Sequence, residues 1–146
     1  MKNFIEKENI QAVLIKYAEA CDRRDWTLYD EVFHADVAVD YGGKFKFAGR
    51  EALVAMIKNL LGGCGPTQHL LGNFKINVAD DHATCSCYVR AAHSGAGGKK
   101  DLFYEVWAEY RDELVKVGEQ WQITKREMII YKEIGSRDVL GPELTR

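Results

Sequence analysis

The stretch HLLGNFKINVADDHATCSCYVRAAH at residues 69–93 contains two runs rich in aromatic and β-branched side chains. The turn signal Ala79-Asp80-Asp81 separates them, so we predict two strands at residues 69–78 and 83–93. Two similar runs follow at residues 102–110 and 121–131, after glycine-containing turns. The second half of the chain is therefore predicted to form four consecutive strands of an antiparallel sheet.

The first half of the chain has a helical pattern instead. We predict a first helix with Arg23 and Arg24 at its end, a short helix at 26–33, a hairpin at 37–47 and a third helix at 50–61. Helices followed by long strands predict an α+β fold with the helices on one side of the sheet. We expect one domain over residues 1–146, with a polar tail of uncertain order from residue 135. The apolar stripe of the first helix consists of Ile10, Val13, Leu14, Tyr17, Ala18 and Cys21.

Composition excludes several classes of function. The 146 residues include 20 basic and 22 acidic side chains, a formal net charge of −2, which argues against a nucleic-acid partner. The sequence lacks a long apolar segment and an N-terminal secretory pattern, so we expect a cytoplasmic protein without a membrane partner. The four cysteines form no C-x-x-C motif and are expected to be free thiols. We find no nucleotide, phosphate, serine-hydrolase or zinc-protease motif, and we expect neither a cofactor nor a metal.

Two residues break the apolar pattern in a way that suggests chemistry. Asp22 continues the buried stripe of the first helix, where a carboxylate is costly unless it is paired. It is either a solvated acid at the helix end or a buried group that orients a cation or an imidazole. His69 begins the first long strand and is either structural or an acid–base group.

Four further polar side chains occur at positions that can converge with this pair. Tyr17 and Tyr41 lie on faces that otherwise look buried, and His93 ends a strand, where exposure is the default expectation. Arg126 lies on the last strand, and either reaches solvent or meets an anion in a cavity. A few convergent polar groups in an apolar cavity are typical of a small-molecule site.

At this point the sequence resembles a known family. The segments YAEACDRRDW at 17–26, VDY at 39–41, TQH at 67–69 and VRAAH at 89–93 resemble the scytalone dehydratase family of the SnoaL-like group, within the nuclear transport factor 2-like superfamily. The resemblance covers about residues 5–132. It implies a cone-shaped, strongly curved sheet packed against the N-terminal helices around a deep apolar pocket.

The resemblance also implies site residues. Matching positions in scytalone dehydratases carry the equivalents of Asp22, Tyr41, His69 and His93, although a tyrosine stands there where this chain has Cys21. Bile-acid 7α-dehydratases, which are similar in fold, have a tyrosine and an arginine at the positions of Tyr17 and Arg126. Hexachlorocyclohexane dehydrochlorinase pairs an aspartate and a histidine that match Asp22 and His69.

These relatives imply a lyase that eliminates without a cofactor. His69 would remove a proton from carbon, Asp22 would orient its ring, and Tyr41 with Tyr17 would polarise a carbonyl. His93 or the protonated His69 would then protonate the departing hydroxyl.

The remaining expectations concern the substrate and the rival functions. The substrate would be a small hydrophobic ring compound, and Arg126 would hold its acidic group or the Asp22 carboxylate. The relatives imply a homo-oligomer, a dimer or a trimer. Two alternatives stay open: a ketosteroid-isomerase-like proton shuttle, and a non-catalytic ligand-binding protein or scaffold like the β subunit of ring-hydroxylating dioxygenases.

Overall fold

The computed structural model describes residues 1–143. Its helices are α1 (Lys2–Arg23), α2 (Tyr29–Val32) and α3 (Arg50–Leu61). Its strands are β1 (Phe33–Tyr41), β2 (Phe45–Ala48), β3 (Thr67–Ala79), β4 (His82–Ser94), β5 (Phe103–Val117) and β6 (Gln120–Gly135). Short 3₁₀ turns occupy Trp26–Leu28, Gly97–Lys99 and Arg137–Val139.

The six strands form one curved, unclosed sheet in the order β2-β1-β6-β5-β4-β3. The predicted α+β class, with N-terminal helices packed on a curved sheet, is confirmed. The sheet is mixed, however, because β1 runs parallel to β6 while every other neighbouring pair is antiparallel. Hairpins force antiparallel pairing only on strands that follow one another closely, and β1 and β6 are far apart in the chain.

Most element positions agree with the sequence pattern, and the differences are local. The third helix has the predicted bounds, whereas α1 already begins at Lys2 and the expected second helix divides into the turn Trp26–Leu28 and α2. Strands β5 and β6 extend beyond their predicted ends. Their extra residues are largely charged, which hid the alternation of inward and outward positions.

The inner face of the sheet and the stripe of α1 form the core. On β4 alternate residues point inward, from Ala83 through Val89 to His93, and all are buried. The α1 residues Ile10 and Leu14 are fully buried beside them. This packing brings the C-terminal end of α1 against the beginning of β3, where the polar residues of the site lie.

The chain after β6 packs on the body of the protein, although a polar tail of uncertain order was expected there. Val139 is 1% exposed. The Gly63 N–H donates to the Gly141 carbonyl at 2.9 Å, and the Gly141 N–H donates to the Leu60 carbonyl at 2.8 Å. These contacts fasten residues 137–141 to the end of α3. The last residues of the expected tail, 144–146, lie outside the described residues.

Two further expectations can be compared with the described part of the chain. None of the helices within residues 1–143 combines the length and the apolar character needed to cross a bilayer. All four cysteines are free thiols.

Candidate active site

Asp22 and His69 form a hydrogen-bonded pair where the end of α1 meets the start of β3. The Nδ1 atom of His69 lies 2.7 Å from Oδ1 of Asp22. The backbone N–H of His69 donates to Oδ2 at 2.9 Å, so one residue holds both oxygens of the carboxylate. The side chain of His69 is 6% exposed and that of Asp22 is 24% exposed. Asp22 is thus the partly buried, paired carboxylate that was one of the two interpretations.

The carboxylate of Asp22 is held in its ionised form. Burial alone would raise its pKa, but the hydrogen bonds from the ring and backbone of His69 and from the Thr67 hydroxyl outweigh burial and lower the pKa below its ordinary value. An ionised Asp22 accepts the proton of Nδ1–H. The neutral imidazole of His69 therefore carries its free lone pair on Nε2.

A mainly apolar cavity of about 100 Å³ lies against this pair. The ring of His69 is part of its wall, whereas Asp22 stands behind the ring. The residues with polar side chains in the lining are His69, His93, Arg137 and the tyrosines Tyr17, Tyr41, Tyr104 and Tyr110. The apolar wall consists mainly of Phe45, Met56, Ile57, Leu60, Leu61, Ala91, Val106, Met128, Ile130 and Leu140.

Tyr17 and Tyr41 share a hydrogen bond on the wall of the cavity. Their hydroxyl oxygens are 3.1 Å apart, and both side chains are buried. Since one hydroxyl donates to the other, the acceptor still has its own proton to donate. Burial raises the pKa of both phenols, and the positive charge of Arg126 offsets part of this rise at Tyr41. Both groups are therefore neutral hydrogen-bond donors at ordinary pH.

His93 is buried, although surface exposure was the expectation from its place at a strand end. Its Nδ1 lies 3.1 Å from the carbonyl oxygen of Tyr104, and its ring packs edge-on against His69 at 5.6 Å between centroids. Burial, reinforced by the nearby His69, lowers the pKa of His93 to about 4. A carbonyl can only accept, so the neutral ring carries its proton on Nδ1 and leaves Nε2 as an acceptor.

Arg126 has a different partner from the one expected. Its Nε and Nη2 donate to the two oxygens of Asp112 at 2.8 and 2.7 Å, and both side chains are completely buried. It does not bind Asp22 and is not among the residues that line the cavity. Instead the guanidinium lies 4.4 Å from the ring centre of Tyr17 and 4.0 Å from that of Tyr110. Arg126 therefore makes cation–π contacts with these two tyrosine rings and does not contact the cavity.

With the geometry described, comparison with known proteins gives the family. The model of the SnoaL-like domain matches residues 4–127. The chain belongs to the SnoaL-like family.

This SnoaL-like chain is also similar to individual proteins and solved structures. An uncharacterized protein of Mycobacterium tuberculosis is 29% identical over 123 residues, which cover 83% of this chain and 82% of the relative. A candidate scytalone dehydratase from Novosphingobium aromaticivorans superposes with a TM-score of 0.81 at 23% identity, covering 99% of this chain and 96% of that one. A type 2 hexachlorocyclohexane dehydrochlorinase gives a TM-score of 0.81 at 16% identity, covering 92% and 90%. At these identities the structural likeness shows the fold alone.

Several residues around the SnoaL-like site were not among the predicted ones, including Asp112, Tyr110 and Thr67. Asp112 and Tyr110 occupy inward positions of β5, and Asp112 fell outside the strand predicted at 102–110. An acid at an inward position would have indicated a buried cation on a neighbouring strand. Thr67 lies two residues before His69, on the same face of β3, and this spacing is the signal that could have identified it.

The described residues contain no metal centre. A group of three or more histidine, cysteine, aspartate or glutamate side chains arranged to hold an ion is not found within residues 1–143. The polar groups at the cavity include imidazoles and phenols, which can transfer protons and form hydrogen bonds.

Proposed function

We propose that this SnoaL-like protein is a lyase that removes water from a small hydrophobic ring compound without a cofactor. The observation that carries the proposal is the 2.7 Å contact between Nδ1 of His69 and Oδ1 of Asp22, with the ring of His69 forming part of an apolar cavity wall. This arrangement is that of a general base with its orienting carboxylate. The substrate would carry a carbonyl and a hydroxyl in the β position.

Proton removal is the first step. Nε2 of His69 takes a proton from the carbon next to the carbonyl, and the electron pair of that C–H bond moves toward the carbonyl oxygen. Asp22 stabilises the imidazolium that forms, because its carboxylate is ionised and already accepts the Nδ1–H. Because the side chain of His69 is only 6% exposed, water screens this charge pair less than it would at the surface.

The tyrosine pair stabilises the enolate. One of the hydroxyls of Tyr17 and Tyr41 donates to the other, and the remaining O–H is available to the substrate oxygen as it gains negative charge. The donating tyrosine in turn polarises its neighbour, which strengthens the hydrogen bond to the enolate.

Protonated His69 is the better of the two candidate acids for the leaving group. Neutral His93 has its proton on Nδ1, and that proton is bound to the Tyr104 carbonyl. We therefore assign the return of the proton to His69: the C–O bond breaks, the hydroxyl takes the proton from Nε2, and water departs as the C=C bond forms. Nε2 of His93 accepts a hydrogen bond from the substrate hydroxyl and orients it.

The general base can be tested before the natural substrate is known. A nitrobenzisoxazole loses a carbon-bound proton to any well-placed base, its N–O bond breaks, and a coloured phenolate appears. We expect His69→Gln and Asp22→Asn each to lower the turnover of this probe by about 10²-fold or more, as removal of a positioned acid–base group does. Absorbance of the phenolate, with circular dichroism to verify folding, measures the effect.

Matched variants control for unspecific effects. His82→Gln and Asp36→Asn replace exposed residues of the same types and should leave the rate unchanged. A folded His69→Gln protein that turns over the probe as fast as the wild type would refute the base. A panel of cyclic β-hydroxy ketones then tests dehydration through the absorbance of the conjugated product. A shift of a ketosteroid double bond without loss of water would favour the isomerase alternative.

A further inference from the structure

Arg24 ends α1 in a conformation that arginine rarely adopts. Its backbone has φ 57° and ψ 29°, the left-handed region, and its N–H caps the helix at the carbonyls of Ala20 and Cys21. Glycine is the usual residue at such a helix end, because it has no Cβ to clash. An arginine in this strained backbone conformation indicates that contacts of its side chain offset the strain.

The guanidinium of Arg24 joins four segments around the Asp22–His69 pair. It donates to the carbonyl of Cys21 at 2.6 Å, at the end of α1, and to the carbonyl of Leu61 at 2.9 Å, at the end of α3. It also donates to the Gly65 carbonyl at 2.9 Å and to the hydroxyl oxygen of Thr67 at 2.8 Å. The planar fork of arginine can satisfy these acceptors together, whereas the single ammonium group of lysine cannot.

Thr67 links Arg24 to the carboxylate of Asp22 through two hydrogen bonds. Its Oγ1 accepts the hydrogen bond from Arg24 and donates to Oδ1 of Asp22 at 2.9 Å. The hydroxyl of Thr67 has one proton to donate, and Arg24 cannot accept it because the guanidinium only donates. The proton of Thr67 is therefore directed at Asp22. Oδ1 thus receives two hydrogen bonds, from Thr67 and from the ring of His69.

We propose that Arg24 and Thr67 are positioning residues that fix the carboxylate of Asp22 in the plane and at the distance that His69 requires. The proposal rests on the proposed function, in which His69 is the base. Neither residue lines the cavity, so both act through Asp22 and not through the ligand. They restrict the rotation of the carboxylate: without the Thr67 hydroxyl, Oδ1 would keep only its hydrogen bond to the ring of His69, while Oδ2 stays bound to the backbone N–H of His69.

Thr67→Val is the sharpest test, since valine keeps the shape of threonine and loses only the hydroxyl. With the nitrobenzisoxazole probe we expect kcat to fall about tenfold, the size of one lost hydrogen bond to a charged group, while KM stays unchanged. The low-field proton resonance of the His69 Nδ1–H should weaken or broaden. Thr67→Ser should restore both, and Thr84→Val, at an exposed position of β4, should change neither.

Arg24→Lys gives a second test that leaves Thr67 in place. It retains the charge and loses the fork, and we expect the same fall in kcat with an unchanged KM. A folded Thr67→Val protein with wild-type kcat and an unaltered Nδ1–H resonance would overturn the proposal, even if His69→Gln is inactive. The resonance also tests the positioning role if the wild type proves inactive on every probe, so the two proposals can fail separately.

Discussion

Two histidines on one cavity wall have different properties because they have different hydrogen-bond partners. His69 faces the carboxylate of Asp22, which accepts its Nδ1–H and can stabilise the charged ring. His93 faces the carbonyl of Tyr104, which also fixes the proton on Nδ1 but offers no full negative charge. The resemblance implied both histidines and Asp22 as the partner of His69, but not the Tyr104 carbonyl as the partner of His93, because that contact depends on the register of a neighbouring strand.

The neutral state of His93 should make stability depend on pH. Its pKa is about 4 in the folded protein against an ordinary value of 6.5, so between these values the unfolded chain binds more protons. The free energy of unfolding should therefore fall as pH decreases from 6.5 to about 4, by about 3 kcal/mol from this residue. In His93→Asn, whose amide can still donate to Tyr104, this part of the dependence should vanish. Urea unfolding at several pH values measures it, and an unchanged slope in the variant would contradict the assignment.

At the scale of elements, inward and outward alternation predicts most of the fold. The four long strands and α3 follow from residue patterns within each segment, because each buries one face on the same core. The parallel contact between β1 and β6 does not follow, because it depends on where the hairpin of β1 and β2 docks. The pair of Asp112 and Arg126 was missed for a related reason: it links β5 to β6 across the sheet, and its register is a tertiary property.

Breaking the buried pair of Asp112 and Arg126 should lower the free energy of unfolding more than replacing both residues does. Asp112→Leu leaves the guanidinium of Arg126 buried without its carboxylate, and we expect a loss of about 3–5 kcal/mol in unfolding free energy. The double variant Asp112→Leu/Arg126→Met removes both charges and should lose less than the single variant. Urea unfolding of the two proteins and the wild type provides the comparison. If the double variant is the less stable of the two, the pair does not act as an isolated charge pair.

At the scale of the whole molecule, the site is assembled from parts that are remote in sequence. The end of α1 supplies the carboxylate, β3 and β4 supply the imidazoles, and β1 supplies a tyrosine. The resemblance to a family could indicate which residues form the site, but the distances between them are known only from the folded structure. The chain after β6 adds a part that composition did not reveal. Leu140 and Arg137 line the cavity, and residues 137–141 are fastened to the end of α3. This segment therefore forms part of the cavity wall.

Shortening Leu140 should therefore affect ligand binding more than the chemical step. Leu140→Ala removes part of the apolar cavity wall and leaves Asp22 and His69 unchanged. The cavity would then admit more water and bind a small ring probe more weakly. We expect KM for the nitrobenzisoxazole to rise severalfold, because the apolar contacts of one side chain contribute to binding, and kcat to change much less. Leu102→Ala is the matched control, because Leu102 is exposed and does not line the cavity. Steady-state kinetics separate the two constants. A comparable fall of kcat in Leu140→Ala would contradict a role in binding alone, because it would mean that this side chain also aligns the bound probe with the base.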